Sequence, residues 1–376
     1  MSSGWKSTEE RPRCCRPEGA SGQKPGTRAR WLSSCRETNW WQSARSATAC
    51  WSPERCSAVS DELRDSVFRP GASGLPRDNR PVIVTVGTFD GVHLGHWSVL
   101  QEIGSRAAAC HGRSVLVTFD PHPLRIVRPA AAPALLTTLE EKKAILAESP
   151  LDYVVFVAFT PELMQYSPRR FVTEFLLGKL GMSELVIGYD HGFGRGRSGD
   201  VDMLRTIAGE CGFRVDVVEA VNADETAISS TAIRKALLEG RLSEANRALG
   251  RPYPIAGVVV RGDGRGRDLG FPTANILVAG ADKLIPGAAI YACWATVGQK
   301  RLMGALHVGP RPTFPGAEPT LEVHLLDHDG SAIYGQRIRV ELVEALRAVV
   351  AFDTVGALKE QMARDVARTR SLLESV

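Results

Sequence analysis

The sequence predicts an α/β fold in two parts: a parallel sheet covered by helices, then a small antiparallel β-barrel followed by a C-terminal helix. Three observations predict it. From residue 81, short and wholly apolar strands alternate with helical stretches, the pattern of a sheet buried on both faces. At "GRPYPIAG" (250–257), Pro252 and Pro254 punctuate a boundary, and short strands separated by Gly/Pro/Asp-rich turns replace the alternation. In the last stretch, "TVGALKEQMARDVARTRSLL", Val355, Leu358, Met362 and Val366 line one helical face. The expected divisions are residues 1–78, 79–250 and 251–376.

In the first half, "VIVTVG" reads as a strand and residues 94–109 as the helix after it. "SVLVTF" (114–119) is a second strand, and "TLEEKKAIL" opens a helix. "DYVVFVAF" (152–159) is a third strand. "SPRRFVTEFLLGKL" starts a helix with a Ser N-cap and a Pro at the first helical position. "ELVIG" (184–188) and "RVDVVE" are the fourth and fifth strands, separated by a helix over 200–211, and "STAIRKALLEG" is a helix ending in Gly240. In the second half the strands are "IAGVVVRG", "AIYACWATV", "RLMGALHV", "TLEVHLLD" and "QRIRVELV", with no helices between them.

The chain of 376 residues is 44% hydrophobic and 23% charged, an ordinary globular composition. No apolar run approaches the roughly 20 residues that cross a bilayer, and the first residues lack the apolar segment of a signal peptide. A cytoplasmic protein that binds no membrane is expected. The formal charge of +4 comes largely from residues 1–78, so it does not read as a nucleic-acid footprint. That segment holds Cys14, Cys15, Cys35, Cys50 and Cys56 without a C-x-x-C pair, which weakens a zinc reading. Its aperiodic tryptophans, arginines and prolines read as a disordered tail, or as a start placed too far upstream with Val59 the true first codon.

The chemistry begins at "GTFDGVHLGHW" (87–97), where the first strand runs through a glycine-rich turn into a helix. Ligands bind at this end of parallel sheets, and helix N-termini attract phosphate. His93 and His96 can donate hydrogen bonds to a developing phosphoryl charge, cap the turn, or bind metal with His122 approaching. "GRGRSG" supplies Gly194, Gly196 and Gly199 in a dinucleotide-type spacing, with Glu219 further on. The loop around it is too long for the tight turn that fingerprint needs, and it follows the fourth strand. It reads as a basic loop that brings Arg195 and Arg197 near phosphates. "ISSTAIRKALLEG" offers Ser229, Ser230 and Thr231 at a helix start, one of them an N-cap, with Arg234 one turn on to hold phosphate. No Walker A pattern occurs. In the second half, Thr273 and Asn275 of "GDGRGRDLGFPTAN" lie two apart on an extended segment and share a face, suited to Mg²⁺ carried by a nucleotide. Glu322 alternates with Leu321 and Val323, as a base for phosphoryl transfer or as a surface glutamate.

Taken together, these stretches resemble the bifunctional riboflavin kinase/FMN adenylyltransferase family over about residues 80–375, in the family's order. "GTFDGVHLGH", "TFDPHP", "GYDHGFGRGRSGD" and "ISSTAIR" resemble its Rossmann-like adenylyltransferase domain. "GRGRDLGFPTAN", "RPTF", "LEVHLLD" and "ARDVARTRSLL" resemble its riboflavin kinase-like barrel. The resemblance implies that ATP phosphorylates riboflavin to FMN and that a second ATP adenylylates FMN to FAD with release of pyrophosphate, with Mg²⁺ as cofactor. It implies catalytic roles for His93, His96 and Glu322. Gly87, Phe89, Asp90, Gly95, Asp190, Arg195, Ser230, Thr231 and Arg234 would hold ATP and its phosphates in the first half, and Gly264, Gly266 and Arg267 in the second. Asp120, Pro121, His122 and Arg370 would contact flavin, and Thr273 and Asn275 would hold the metal. Trp97, His191, His307 and "PGAAIYA" depart from the family pattern without removing a proposed chemical group. The sequence keeps three other readings in play: an adenylyltransferase for another phosphorylated molecule, a NAD-binding oxidoreductase built on "GRGRSG", and a flavin-binding protein without catalysis.

Overall fold

The structure is a computed structural model that describes residues 67–68, 75–76, 78–188, 201–219, 222–223, 226–309 and 320–375. The expectations for residues 1–66, with the tail cysteines, and for Asp190, His191, Arg195, Arg197 and the "GRGRSG" glycines lie outside the described residues.

The first half is built on a parallel sheet. Its strands are β1 (Val67–Phe68), β2 (Val82–Val86), β3 (Arg113–Asp120), β4 (Tyr153–Ala158), β5 (Met182–Gly188) and β6 (Arg214–Val218), in the order β1-β4-β3-β2-β5-β6. Every residue of β2 is buried, which is why its sequence reads as a continuous apolar run. From β2 the chain builds outward to β3 and β4 on one side, then returns to place β5 and β6 on the other. The carboxyl end of β2 is therefore the point where the winding direction switches, the position at which sheets of this kind bind ligands. Helix α1 (Leu94–Ala109) leaves that end and packs Val99, Leu100, Ile103 and Ala107 inward. Helix α2 (Pro123–Val127) follows β3, and α3 (Leu139–Leu146) precedes β4. The helix expected at Ser167 begins with that residue as N-cap and Pro168 first, then widens over Phe171–Leu177 into a π-helical stretch with bonds from Gly178 to Thr173 and from Leu180 to Phe175.

Helices α4 (Ser230–Leu238) and α5 (Leu242–Leu249) lead out of the sheet, and the second half is a closed antiparallel barrel. Its strands are β7 (Tyr253–Val260), β8 (Thr273–Val278), β9 (Ala289–Val297), β10 (Lys300–Gly309), β11 (Thr320–Leu325) and β12 (Arg337–Ala348), in the order β8-β11-β10-β9-β12-β7. The barrel thus has one strand more than the sequence announces. The segment carrying Thr273 and Asn275 is β8, hidden behind the Gly- and Pro-rich run before it. That run also holds a short helix, Arg265–Asp268, where the pattern predicted none. The C-terminal helix α6 (Val355–Glu374) buries Asp365, Thr369 and Leu373. Val355 is exposed, and Leu358, Met362 and Val366 face a cavity instead of the core.

Candidate active sites

At the end of β2 the backbone turns through three residues with left-handed φ: Phe89 at 47°, Gly91 at 82° and Val92 at 40°. Asp90, 2% exposed, is the node of this turn. Its carboxylate accepts hydrogen bonds from the Leu136 N–H at 2.9 Å, the Thr137 N–H at 3.0 Å and the Thr137 hydroxyl at 3.2 Å. Arg234, from α4, donates to it at 2.6 Å and to the Ala134 carbonyl at 2.8 Å. The Asp90 oxygens are thus committed to protein donors. The residue thereby shapes the turn that leads into α1.

His93 and His96 open α1 as a reciprocal capping pair. The His96 N–H donates to His93 Nδ1 and the His93 N–H donates to His96 Nδ1, both at 3.3 Å. The rings stack with centroids 3.6 Å apart, and Phe89 lies 4.5 Å from the His96 ring. Because each Nδ1 is an acceptor, each neutral ring must carry its proton on Nε2. Burial pushes the His93 pKa down to about 4, with the nearby charge of Arg251 adding to the effect. Burial lowers that of His96 well below the ordinary value, helped by the repulsion a second proton on the stacked His93 ring would add and by the charges of Lys142 and Arg251. Both rings are neutral at pH 7 and keep an Nε2–H donor. So the capping and phosphate-donor readings are one arrangement: capping fixes the tautomer that donation needs. No cluster able to hold a metal through His, Cys, Asp or Glu occurs among the described residues.

Around this pair, Gly87 allows the close approach of Phe89, whose ring a Cβ would meet at 2.8 Å, and Gly95 lies beside the His93 ring. Ser229 is the N-cap of α4, accepting from the Ala232 N–H at 3.2 Å. Ser230 donates to the Asp90 carbonyl at 2.9 Å, and Thr231 is exposed at the helix start. At the end of β3, next to β2, Asp120, Pro121 and His122 form the neighbouring rim. His122 caps α2 by accepting from the Leu124 N–H at 3.2 Å, and burial pushes its pKa down to about 4. Lys142 is a member that sequence reasoning missed. It is buried, and its Nζ donates to the Thr88 carbonyl at 2.9 Å. Its signal was the lysine after two glutamates in "TLEEKKAIL", which reads as solvated helix surface. Trp97 packs half-buried on the cluster of Phe89, Val92 and Leu100.

The second site is a cavity on the outer face of the barrel beneath α6, lined by Gly264, Gly266 and Arg267 of the loop, by Thr273 and Asn275 of β8, and by Glu322 of β11. Antiparallel register sets Asn275 opposite Glu322. The Glu322 carboxylate accepts from the Thr273 hydroxyl at 3.0 Å and from the Thr320 hydroxyl at 2.8 Å. Leu358, Met362 and Val366 supply an apolar wall. Arg347 of β12 pairs with buried Asp365 at 2.7 Å, and Gln361 donates to the same carboxylate at 2.8 Å, fixing α6 against the cavity. Neither Arg347 nor Asp365 stands out in sequence, since each is an ordinary charge on a strand or helix. Arg370 is not brought to this cavity. It pairs with Asp327 at 2.8 Å and lines a shallow depression on the outer side of α6 with Ser371 and Glu374.

A parallel sheet with a left-handed turn at its switch point, joined to a barrel that carries a carboxylate between two hydroxyls, is an arrangement suited to a two-site transferase. Residues 75–232 match the family described as FAD synthetase, and residues 249–373 match the family described as riboflavin kinase. The protein named bifunctional riboflavin kinase/FMN adenylyltransferase in Escherichia coli K12 is 37% identical over 284 residues, covering 75% of this chain and 90% of its own length. Its namesake in Pseudomonas fluorescens is 35% identical, covering 80% of this chain and 96% of its own. The chain belongs to the bifunctional riboflavin kinase/FMN adenylyltransferase family. A crystal structure described as a macrolide-efflux protein from Streptococcus pneumoniae has a TM-score of 0.69 and 26% identity, covering 78% of this chain and 95% of that one. Among the described residues here, no helix is long and apolar enough to cross a membrane.

Proposed function

We infer that this chain makes FMN from riboflavin and ATP in its barrel, then FAD from FMN and a second ATP at the end of β2, releasing pyrophosphate. The observation that carries this reading is the presence, in one chain, of the doubly capped His93–His96 pair at the sheet's switch point and the Thr273–Glu322 pair in the barrel. ATP is the co-substrate of both steps. Because both steps consume ATP, we assign the protein to the cytoplasm.

In the kinase step, Glu322 accepts the proton of the ribityl 5′-hydroxyl as that oxygen bonds to the γ-phosphorus and ADP leaves. The two hydroxyls that donate to Glu322 hold its carboxylate in place. The hydroxyl of Thr273, the amide oxygen of Asn275 and the carboxylate opposite them form a set of hard oxygen donors, which fits Mg²⁺ arriving with the ATP phosphates. Thr273 and Asn275 would hold that ion, which when bound neutralises charge on the phosphoryl oxygens. The loop bearing Gly264, Gly266 and Arg267 covers the nucleotide.

In the adenylyl step, a phosphate oxygen of FMN bonds to the α-phosphorus of ATP while the bond to pyrophosphate breaks. The Nε2–H groups of His93 and His96 donate to the charge that grows on the α-phosphoryl oxygens. Ser230, Thr231 and Arg234 sit at the α4 start, where a helix N-terminus favours phosphate. Asp190 and Arg195 remain assigned to the nucleotide by their motif, and Asp120, Pro121 and His122 to the flavin side. Arg370 has no flavin role in this assignment, its guanidinium being paired with Asp327. The test is a time course with purified protein, riboflavin, ATP and Mg²⁺. FMN is expected first and FAD after it; a protein that yields neither defeats the reading.

A further inference from the structure

The adenylyl-transfer turn is held from two sides by cations that the barrel half contributes. Arg251, just before β7, donates through Nη1 to the Val92 carbonyl at 2.8 Å and to the Leu249 carbonyl at 3.2 Å, and through Nη2 to the Gly91 carbonyl. Gly91 and Val92 are two of the three left-handed residues of the turn, and the next residue is His93. A β-branched residue such as Val92 resists that conformation, so the turn persists only because its surroundings over-determine it. The approach is close: at Gly250 (φ 73°) a Cβ would lie 2.5 Å from the Leu94 side chain, at the first turn of α1.

On the other side, Lys283 follows β8 and is wholly buried with Glu141, their side chains 0% and 2% exposed. Its Nζ donates to the Leu136 carbonyl at 2.7 Å and to Glu141 at 2.7 Å. The flanking Leu284 N–H donates to the Leu135 carbonyl at 2.8 Å, and the Leu135 N–H donates to the Asp282 carbonyl at 2.7 Å. Glu141 also accepts from the Ala256 N–H of β7 at 2.8 Å. The segment gripped in this way, 135–137, supplies the N–H groups that hold Asp90.

We propose that Arg251 and Lys283, from the barrel half, are positioning residues of the adenylyl-transfer site, setting the turn that carries His93 and His96. This rests on the assignment of FAD synthesis to that turn. Neither residue lines the second cavity, so the proposal expects the kinase step to be spared when they are changed. The groups charged near His93 are Arg251, Asp90 on its own turn and Arg234 on α4, with the neutral His96 ring stacked on it. Protonation of His93 at Nδ1 would remove the acceptor of the His96 N–H and so open the capping pair. Arg251, by disfavouring that protonation, keeps the pair closed to lower pH.

The experiment compares the full-length chain with its Arg251→Met, Arg251→Lys and Lys283→Met variants, assaying riboflavin to FMN and added FMN to FAD separately. In Arg251→Met, kcat for FAD synthesis is expected to fall about ten- to a hundred-fold, with FMN formation within about two-fold of the parent. Arg251→Lys, which keeps the charge, should recover part of the loss. Lys283→Met should show the same split, and adding Glu141→Gln to it should relieve instability from the unpaired carboxylate without restoring FAD synthesis. The acid limb of kcat/KM for FAD synthesis should move to higher pH in Arg251→Met and return in Arg251→Lys. NMR titration of the His93 ring gives the same shift independently of turnover. Equal loss of both activities, or unchanged FAD synthesis with an unmoved His93 titration, overturns the proposal. A parent chain that makes no FAD defeats the functional assignment instead, and the NMR titration still decides the positioning.

Discussion

At the scale of single residues, the two sites differ in what their key groups must do, and that difference can be measured. In the proposed assignment His96 offers one donor to a transition-state charge, the kind of group whose loss costs about a hundred- to a thousand-fold. His96→Ala should therefore reduce FAD synthesis by that order while leaving FMN formation intact. In the same assignment Glu322 moves a proton, a contribution of about a hundred- to ten-thousand-fold. Glu322→Ala should abolish most FMN formation yet leave added FMN convertible to FAD. Loss of both activities in either variant, with the fold intact by circular dichroism, would show that the division of labour is wrong. Buried histidines also make the protein acid-sensitive. In the unfolded chain a histidine binds its proton near pH 6.5, but folded His93 and His122 do so only near pH 4. Between those values the unfolded state holds more protons, so stability is complete above pH 6.5 and falls as pH drops toward 4. For buried His93 the full shift corresponds to up to about 3 kcal/mol. Urea midpoints measured at pH 7 and pH 5 should show the decline; equal midpoints would contradict it.

At the scale of elements, the barrel loop and β8 form one unit. Gly262 lies so near β8 that a Cβ there would sit 2.1 Å from the Asn275 amide nitrogen. Gly262→Ala must push Asn275 or the loop aside. It should lower riboflavin kinase activity about ten-fold or more, by displacement of a positioned group, and spare FAD synthesis; unchanged kinase turnover would show that the loop yields without consequence. The same unit shows what was legible in the sequence. Strands such as "VIVTV" and helices such as α1 announce themselves because burial alone sets their pattern. β8 does not, because its neighbours are glycines and prolines and its own alternating residues, Thr273 and Asn275, face a cavity and are polar. The α6 face of Leu358, Met362 and Val366 has helical spacing, yet spacing cannot distinguish a core from a cavity wall. Motifs singled out His93, His96 and Glu322 as candidates. Lys142, Arg251, Lys283 and Arg347 were invisible because each is defined by a partner far along the chain, such as Thr88 for Lys142 or Glu141 for Lys283.

At the scale of the whole molecule, the boundary that the prolines mark at residue 250 is a change of strand grammar, not a division of the core. The buried cluster of the barrel, with Tyr253, Tyr291 and Val340, continues through Ile233, Leu237, Leu242 and Leu249 of α4 and α5 to Leu136 beside the phosphate turn. The same α4 carries Ser230, Thr231 and Arg234. One apolar cluster therefore lies under both the start of α4 and the strands, β8 and β11, that carry Thr273, Asn275 and Glu322. The Lys283–Glu141 pair is buried at this junction, and a pair so placed is costly to separate because each charge would be left without its partner. Opening the two halves would expose that ion pair and the apolar faces of α4 and α5 together. The physical consequence is cooperativity across the chain. Calorimetry of the full-length protein should show one unfolding transition, and ADP with Mg²⁺, bound to the folded state, should raise its temperature as a single peak. Two resolved transitions, with only one moved by nucleotide, would mean that the junction does not couple the halves.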